Sequence, residues 1–174
     1  SVRTDLRYTC ANANAAALFP WVNTLYLTFD PNPISDIIPI AQTLDGDGVV
    51  RIPGNTGLTA FSAAAINIGA SETLTVRPQV KGGVSASATI CATNPNNGYQ
   101  CFSAPTAQIT KTFTPNVASF YSVFVQGSGN VPFDPAHNRV MLEFVDASNN
   151  YRGLTGVAVR TVAPTASAAR QARR

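Results

Sequence analysis

Short runs in which apolar and polar residues alternate recur along the chain, broken by clusters of Gly, Pro and Asn. Leu25, Leu27 and Phe29 fall on one phase, with Thr24, Tyr26 and Thr28 on the other. Leu74 and Val76 alternate with Thr73, Thr75 and Arg77. Ala86, Ala88 and Ile90 alternate with Ser85, Ser87 and Thr89. Val140, Leu142 and Phe144 alternate with Arg139, Met141 and Glu143. A period of two predicts half-buried strands, each with one face to a core and one to solvent. On that phase Glu72 and Glu143 are expected to be surface charges. The stretch Phe120–Val125 departs from the pattern: Phe120 and Phe124 oppose Tyr121, Val123 and Val125. A strand apolar on both faces is central, or has a second surface to cover, such as another protomer.

The breaks carry turn chemistry. Asp45-Gly-Asp-Gly48 precedes Val49–Ile52, Lys81-Gly-Gly83 lies between two alternating runs, and Asp146–Asn150 separates 139–145 from 151–162 as a hairpin signal. Only Asn12–Leu18 is rich enough in Ala for a turn or two of helix, and it lacks amphipathic length. The expected fold is therefore all-β, an antiparallel sandwich. Residues 1–35 hold the only Trp and Pro31-Asn-Pro33 and read as an N-terminal arm or added strand. Residues 36–162 read as the sandwich, with no clear domain boundary and only a weak candidate for one near Pro53–Gly57, and 163–174 as a flexible basic tail.

Charge narrows the partners. Charged residues make up 12% of the chain, against roughly 25% in ordinary domains. Setting aside Arg170, Arg173 and Arg174 leaves nine cations facing nine acids, so the body is neutral and offers no basic face for nucleic acid. No apolar run approaches the ~20 residues of a membrane helix.

Cys91-Ala-Thr-Asn-Pro-Asn-Asn-Gly-Tyr-Gln-Cys101 is a loop of turn formers closed by two thiols. It predicts a disulfide-pinned hairpin and hence an oxidising, extracellular compartment, with a leader removed ahead of Ser1. Cys10 is left over, either free and buried or paired between chains.

The succession Val50-Arg-Ile-Pro-Gly54, Ala64-Ala-Ile-Asn-Ile-Gly69, Ile90-Cys-Ala-Thr-Asn-Pro95 then Cys101, Val131-Pro-Phe-Asp-Pro135 and Arg152-Gly-Leu-Thr-Gly156 resembles the immunoglobulin-like β-sandwich modules of uncharacterised bacterial secreted and surface proteins. The resemblance spans roughly 36–161. It implies an extracellular, non-catalytic, structural or adhesive module and no particular ligand.

Catalytic and metal chemistry find little support. His137 is the only histidine, and Gly127-Ser128-Gly129 is not a nucleophile elbow, since position 126 is Gln. One His and a cystine cannot ligate zinc. Asp45 and Asp47, with Asp30 and Asp36, suggest part of a calcium loop, but Val49, Val50 and Arg51 follow where further oxygen ligands are needed. No enzyme activity and no cofactor are expected.

Two functions remain. The first is a structural subunit of a pilus-like filament or surface assembly, a homo-oligomer or polymer joined by strand addition. Leu6, Tyr8 and Trp21 on the arm, with Phe120 and Phe124, are the self-association candidates. The second is a monomeric module of a surface adhesin binding a glycan or a cell-surface protein, with Tyr99 and Tyr151 as stacking residues. A jelly-roll coat protein with an arginine tail is a more distant third.

Overall fold

The period-two runs pair into two five-stranded sheets. The computed structural model describes residues 2–4, 9 and 11–163, with backbone alone at 2–4 and 25–27. Leu6, Tyr8, Cys10 and the arginine tail lie outside the described residues. Among the described residues twelve strands follow in order: β1 (Val2–Thr4), β2 (Leu25–Leu27), β3 (Ile37–Gln42), β4 (Val49–Pro53), β5 (Leu58–Asn67), β6 (Glu72–Lys81), β7 (Ala86–Asn94), β8 (Gln100–Cys101), β9 (Ile109–Phe113), β10 (Ala118–Gly127), β11 (Arg139–Val145) and β12 (Tyr151–Val162). The first sheet has the order β3-β5-β10-β7-β8 and the second β4-β12-β11-β6-β9.

All pairs are antiparallel except β4 with β12, which run parallel. The expectation of a wholly antiparallel sandwich is corrected at that edge. The two strands lie far apart in sequence, so a long crossover, rather than a hairpin, joins them.

The alternating residues meet between the sheets. Ile52, Leu74, Val76, Ile90, Val123, Val125, Val140, Leu142 and Phe144 are fully buried, and Phe113 and Tyr121 pack edge-on against Phe144. Such close interdigitation of aromatic and branched side chains is what a two-layer core needs. β10, apolar on both faces, sits at the centre of the first sheet. Lys81-Gly82-Gly83 carries the chain from the second sheet to the first. Gly82 has a φ of +78°, and a Cβ there would strike the carbonyl of His137. Pro53–Gly57 likewise links the sheets at β4–β5.

Residues 11–24 contain no helix, contrary to the expectation for Asn12–Leu18; seven residues cannot offset the cost of nucleation in water. β1 and β2 pair with each other, Val2 opposite Leu27, in a small sheet of their own. No helix among the described residues is long and apolar enough to cross a membrane.

Candidate interaction faces

The outer face of the first sheet carries no charge on its strands. Alternation sends Ile38, Ile40 and Gln42 of β3 outward. With them go Leu58, Ala60, Ser62, Ala64 and Ile66 of β5, Phe120, Ser122, Phe124 and Gln126 of β10, and Ser87 and Thr89 of β7. The register places Ile38 opposite Ile66, and Ile40 and Phe120 both opposite Ala64. Ile40 is 65% exposed and Leu58 58%. The result is a broad apolar surface centred on β5 and β10.

One end of this face is fixed by the cystine. Cys91 of β7 and Cys101 of β8 are bonded, with their Cα atoms 5.5 Å apart. Cys91 is buried, and β8 pairs with the end of β7 through Thr93–Cys101 and Asn94–Gln100. The loop between them reverses through Gly98 and Tyr99, both at positive φ. It swings the Tyr99 ring to 6.2 Å from Phe120.

The outer face of the second sheet is charged. β11 directs Met141, Glu143 and Val145 outward, yet each is only 2% exposed. The expectation that Glu143 is a surface charge is therefore corrected. Its carboxylate accepts from Arg77 Nε at 3.0 Å and pairs with Lys81 Nζ at 2.9 Å, and the Tyr151 hydroxyl donates to it at 3.4 Å. A buried carboxylate is tolerable only with such partners. Beside it, Arg152 joins Glu72 (Nε–Oε2, 3.1 Å) to Asp146 (Nη2–Oδ2, 2.8 Å) and is 7% exposed. Burial by itself would raise the pKa of both acids. For Glu72 the hydrogen bonds from Ser35 and Arg152 outweigh it. For Asp146 those from Asn150 and the charge of Arg152 do so. Both carboxyls end below their ordinary range.

What covers this face is the arm. Phe19 meets His137 edge-on at 5.1 Å, and Trp21 lies against Tyr151 at 4.6 Å. Leu18, Phe19, Pro20 and Trp21 line a cavity of about 280 Å³ with Lys81, Arg139 and Met141. Trp21 is thus an anchor on the outside of the sandwich, not part of its core. A second cavity, of about 520 Å³, opens between Trp21, Thr24 and Thr28 of the arm and Asp36, Tyr151 and Arg152 of the body.

The sequence candidates separate accordingly. Phe120, Phe124 and Tyr99 share the first sheet's outer face, whereas Trp21 and Tyr151 meet on the second. Tyr99 and Tyr151 stand on opposite sides of the sandwich and cannot stack on one sugar. His137 Nδ1 is 2.8 Å from Asp134 Oδ2, and that hydrogen bond lowers the pKa of Asp134. Asp45 and Asp47 both pair with Arg51, at 2.9 and 2.6 Å, and the bond from Arg51 holds the Asp47 carboxyl at a pKa of about 2. These acids serve the turn into β4. Among the described residues no group of three or more His, Cys, Asp or Glu is placed to hold a metal ion.

The covered second face was missed by the alternation reading, but its signal was present. Val140–Val145 is apolar at every position except Glu143, the same two-faced composition that marks β10.

No family model matches the chain, and no curated protein matches it. Among solved structures, it is similar to AvmM, described as catalysing macrocyclization in alchivemycin A biosynthesis. The TM-score is 0.44 at 11% identity, over 75% of this chain and 92% of that one. It is also similar to WR4, a C. elegans MSP family member, with a TM-score of 0.34 at 8% identity, over 76% of this chain and 99% of that one. Likeness at this level carries no argument about activity.

Proposed function

We propose that the chain is a non-catalytic structural subunit of an extracellular assembly, and that its copies meet through the outer face of the first sheet. The observation that carries this reading is the uncharged apolar surface of Ile38, Ile40, Leu58, Ile66, Phe120 and Phe124. Contiguous exposed apolar patches mark interaction sites. A surface lacking charge of either sign can lie against its own copy without like-charge repulsion, and it gives a charged partner nothing to grip. The Cys91–Cys101 bond fits an oxidising compartment. Four strands ~4.8 Å apart and eight residues long cover roughly 400–500 Å² per copy, which is the low end for a specific interface. Association through this face alone is thus expected in the micromolar range.

Light scattering after size exclusion, run across a concentration series, tests this. The parent chain should shift to larger species by ~100 µM, and Ile40→Lys should remain monomeric with an unchanged thermal midpoint. A parent that stays monomeric throughout, or an Ile40→Lys chain that associates like the parent, removes the reading.

A monomeric binding module is the second reading, favoured by the 520 Å³ cavity, where an aromatic pair adjoins Asp36 and Arg152. Cavities of this size and mixed lining suit small ligands. Glycan-array binding by a monomer, abolished by Trp21→Ala and kept in Ile40→Lys, would select it.

A further inference from the structure

We infer that the cavity of about 280 Å³ between the arm and the second sheet is a ligand site. Its ligand is a small monoanion with an apolar body, a carboxylate of roughly ten non-hydrogen atoms, held by Arg139. The inference goes beyond the assembly reading and is independent of it, because the cavity and the open apolar face belong to different sheets.

Arg139 is a cation without a counter-ion. On the same face Arg77 and Lys81 hold Glu143, and Arg152 holds Glu72 and Asp146. Arg139 pairs with no carboxylate among the described residues, and the acid five positions before it, Asp134, is turned to His137. Its Nη1 donates to the Pro135 carbonyl at 2.7 Å and its Nη2 to the Gly156 carbonyl at 2.9 Å. Those bonds use two of the five N–H groups of a guanidinium. The Nε–H is buried with no acceptor among the described residues. Burial also pulls the Arg139 pKa down from its ordinary value, the direction expected of a charge short of a partner. The register sets Lys81 directly opposite Arg139, and like charges so placed repel. An anion between the arm and β11 relieves both costs.

The walls around this cation are apolar. Leu18, Phe19 and Pro20 form the arm side, and Met141 forms the floor beside Arg139. Met141 packs over Gly156, where a Cβ would strike its sulfur. The arm side is set before a ligand arrives: the Phe19 N–H donates to Asn23 Oδ1 at 2.7 Å and the Val22 N–H to the Phe19 carbonyl at 3.0 Å. Phe19 is further braced edge-on against His137. Apolar walls with a few polar groups that fix orientation are the general plan of small-molecule sites, and walls already in place lower the cost of binding.

Size and charge narrow the ligand. An apolar cavity of roughly 150 Å³ accepts benzene, so one nearly twice as large accepts about ten to twelve non-hydrogen atoms. One unmatched cation calls for one negative charge, which favours a carboxylate over a dianionic phosphate. The planar fork of a guanidinium also matches a carboxylate. The apolar walls select a hydrocarbon body over a sugar, whose hydroxyls would go unpaired there.

Octanoate is the probe, with calorimetry for affinity and the emission of Trp21, which lines the cavity, for location. The parent should saturate with a Kd of about 0.1–1 mM. Arg139→Gln should weaken octanoate at least ~tenfold by removing a charge-assisted hydrogen bond. Octanol, with the same body and no charge, should bind the parent at least ~tenfold more weakly and ignore Arg139→Gln. Ile40→Lys, on the other sheet, should bind octanoate as the parent does, whatever its oligomeric state. Leu18→Glu leaves the carbonyl bonds of Arg139 intact and supplies a carboxylate from the arm. It should also weaken octanoate at least ~tenfold, and it decides the matter if Arg139→Gln does not fold. Three results overturn the inference: no saturation by octanoate, octanol bound as tightly as octanoate, or parent-like octanoate affinity in folded Arg139→Gln or Leu18→Glu. The last would place octanoate on the open apolar face and leave the assembly reading untouched.

Discussion

β10 and β11 are two solutions to one problem. Each is the middle strand of its sheet, and each sends apolar residues to both sides. On β11, the outward Met141, Glu143 and Val145 are closed off beneath Arg77, Lys81, Tyr151 and the arm. On β10, the outward Phe120 and Phe124 lie among Ile40, Ala64 and Tyr99 and stay partly open. The covered face includes charge and the open one includes none. A carboxylate can be enclosed when the same fold supplies its cations, because their positions are fixed. A surface that meets a separate molecule does better without charges that must be matched on each encounter. The difference teaches that the chain closes one face with its own residues, cations included, and leaves the other open and uncharged.

Exchanging the two behaviours by mutation is the sharpest way to break this comparison. Glu143→Ala leaves Arg77 and Lys81 facing each other without their shared anion. It should cost about 3 kcal/mol of unfolding free energy, the lower end of the range for a broken buried pair, because both cations retain some contact with water. Urea denaturation followed by Trp21 fluorescence measures it. Ile40→Lys on the open face should change that stability by no more than ~0.5 kcal/mol. Equal losses at the two positions would show that both faces serve folding and would end the distinction.

The cystine provides a smaller effect at the border of the open face. Cys91→Ala with Cys101→Ala frees a loop whose ends are ten positions apart, and should cost ~2–3 kcal/mol through the greater freedom of the unfolded chain. The loss should appear in the thermal midpoint. Because the loop positions Tyr99 against Phe120, the association constant should fall with it. A stable variant that associates more tightly than the parent would mean that the loop shields the face rather than completing it.

How far these faces could be read in advance follows from the physics of each. Leu74, Val76, Val140, Leu142 and Phe144 were legible as core because a strand's period is local, and burial on one phase follows from it. The second surface of Phe120–Val125 was legible for the same reason. The fate of Glu143 was not: its burial depends on Arg77, Lys81 and Tyr151, and on an arm more than a hundred residues earlier in the chain. Alternation says which phase a residue occupies, not whether a distant segment returns to lie on that phase. The cystine was legible from its spacing and turn residues. The separation of Tyr99 from Tyr151 was hidden, since it depends on β7 and β12 falling in different sheets. The parallel entry of β4 beside β12 was hidden too, because nothing local marks a partner so far along the chain.

Acid titration gives the smallest expected effect and the one most specific to the covered face. Glu72 and Asp146, joined by Arg152, have folded-state pKa values below their ordinary 4.5 and 3.8. A carboxyl depressed on folding binds protons less readily in the native state than in the unfolded one. Its contribution is complete above the unfolded value and is lost as pH falls through the folded one. Stability should therefore be level from neutrality to about pH 5 and decline below pH 4.5. Arg152→Met should flatten that decline by removing the cation that depresses both acids. Ile40→Lys, on a face without carboxylates, should leave its slope unchanged. Denaturant midpoints at several pH values between 3 and 7 would distinguish the two variants. A steeper decline in Arg152→Met than in the parent would place the acid-sensitive charge elsewhere, with Asp47 the next group to examine, since its pairing with Arg51 holds it at about 2.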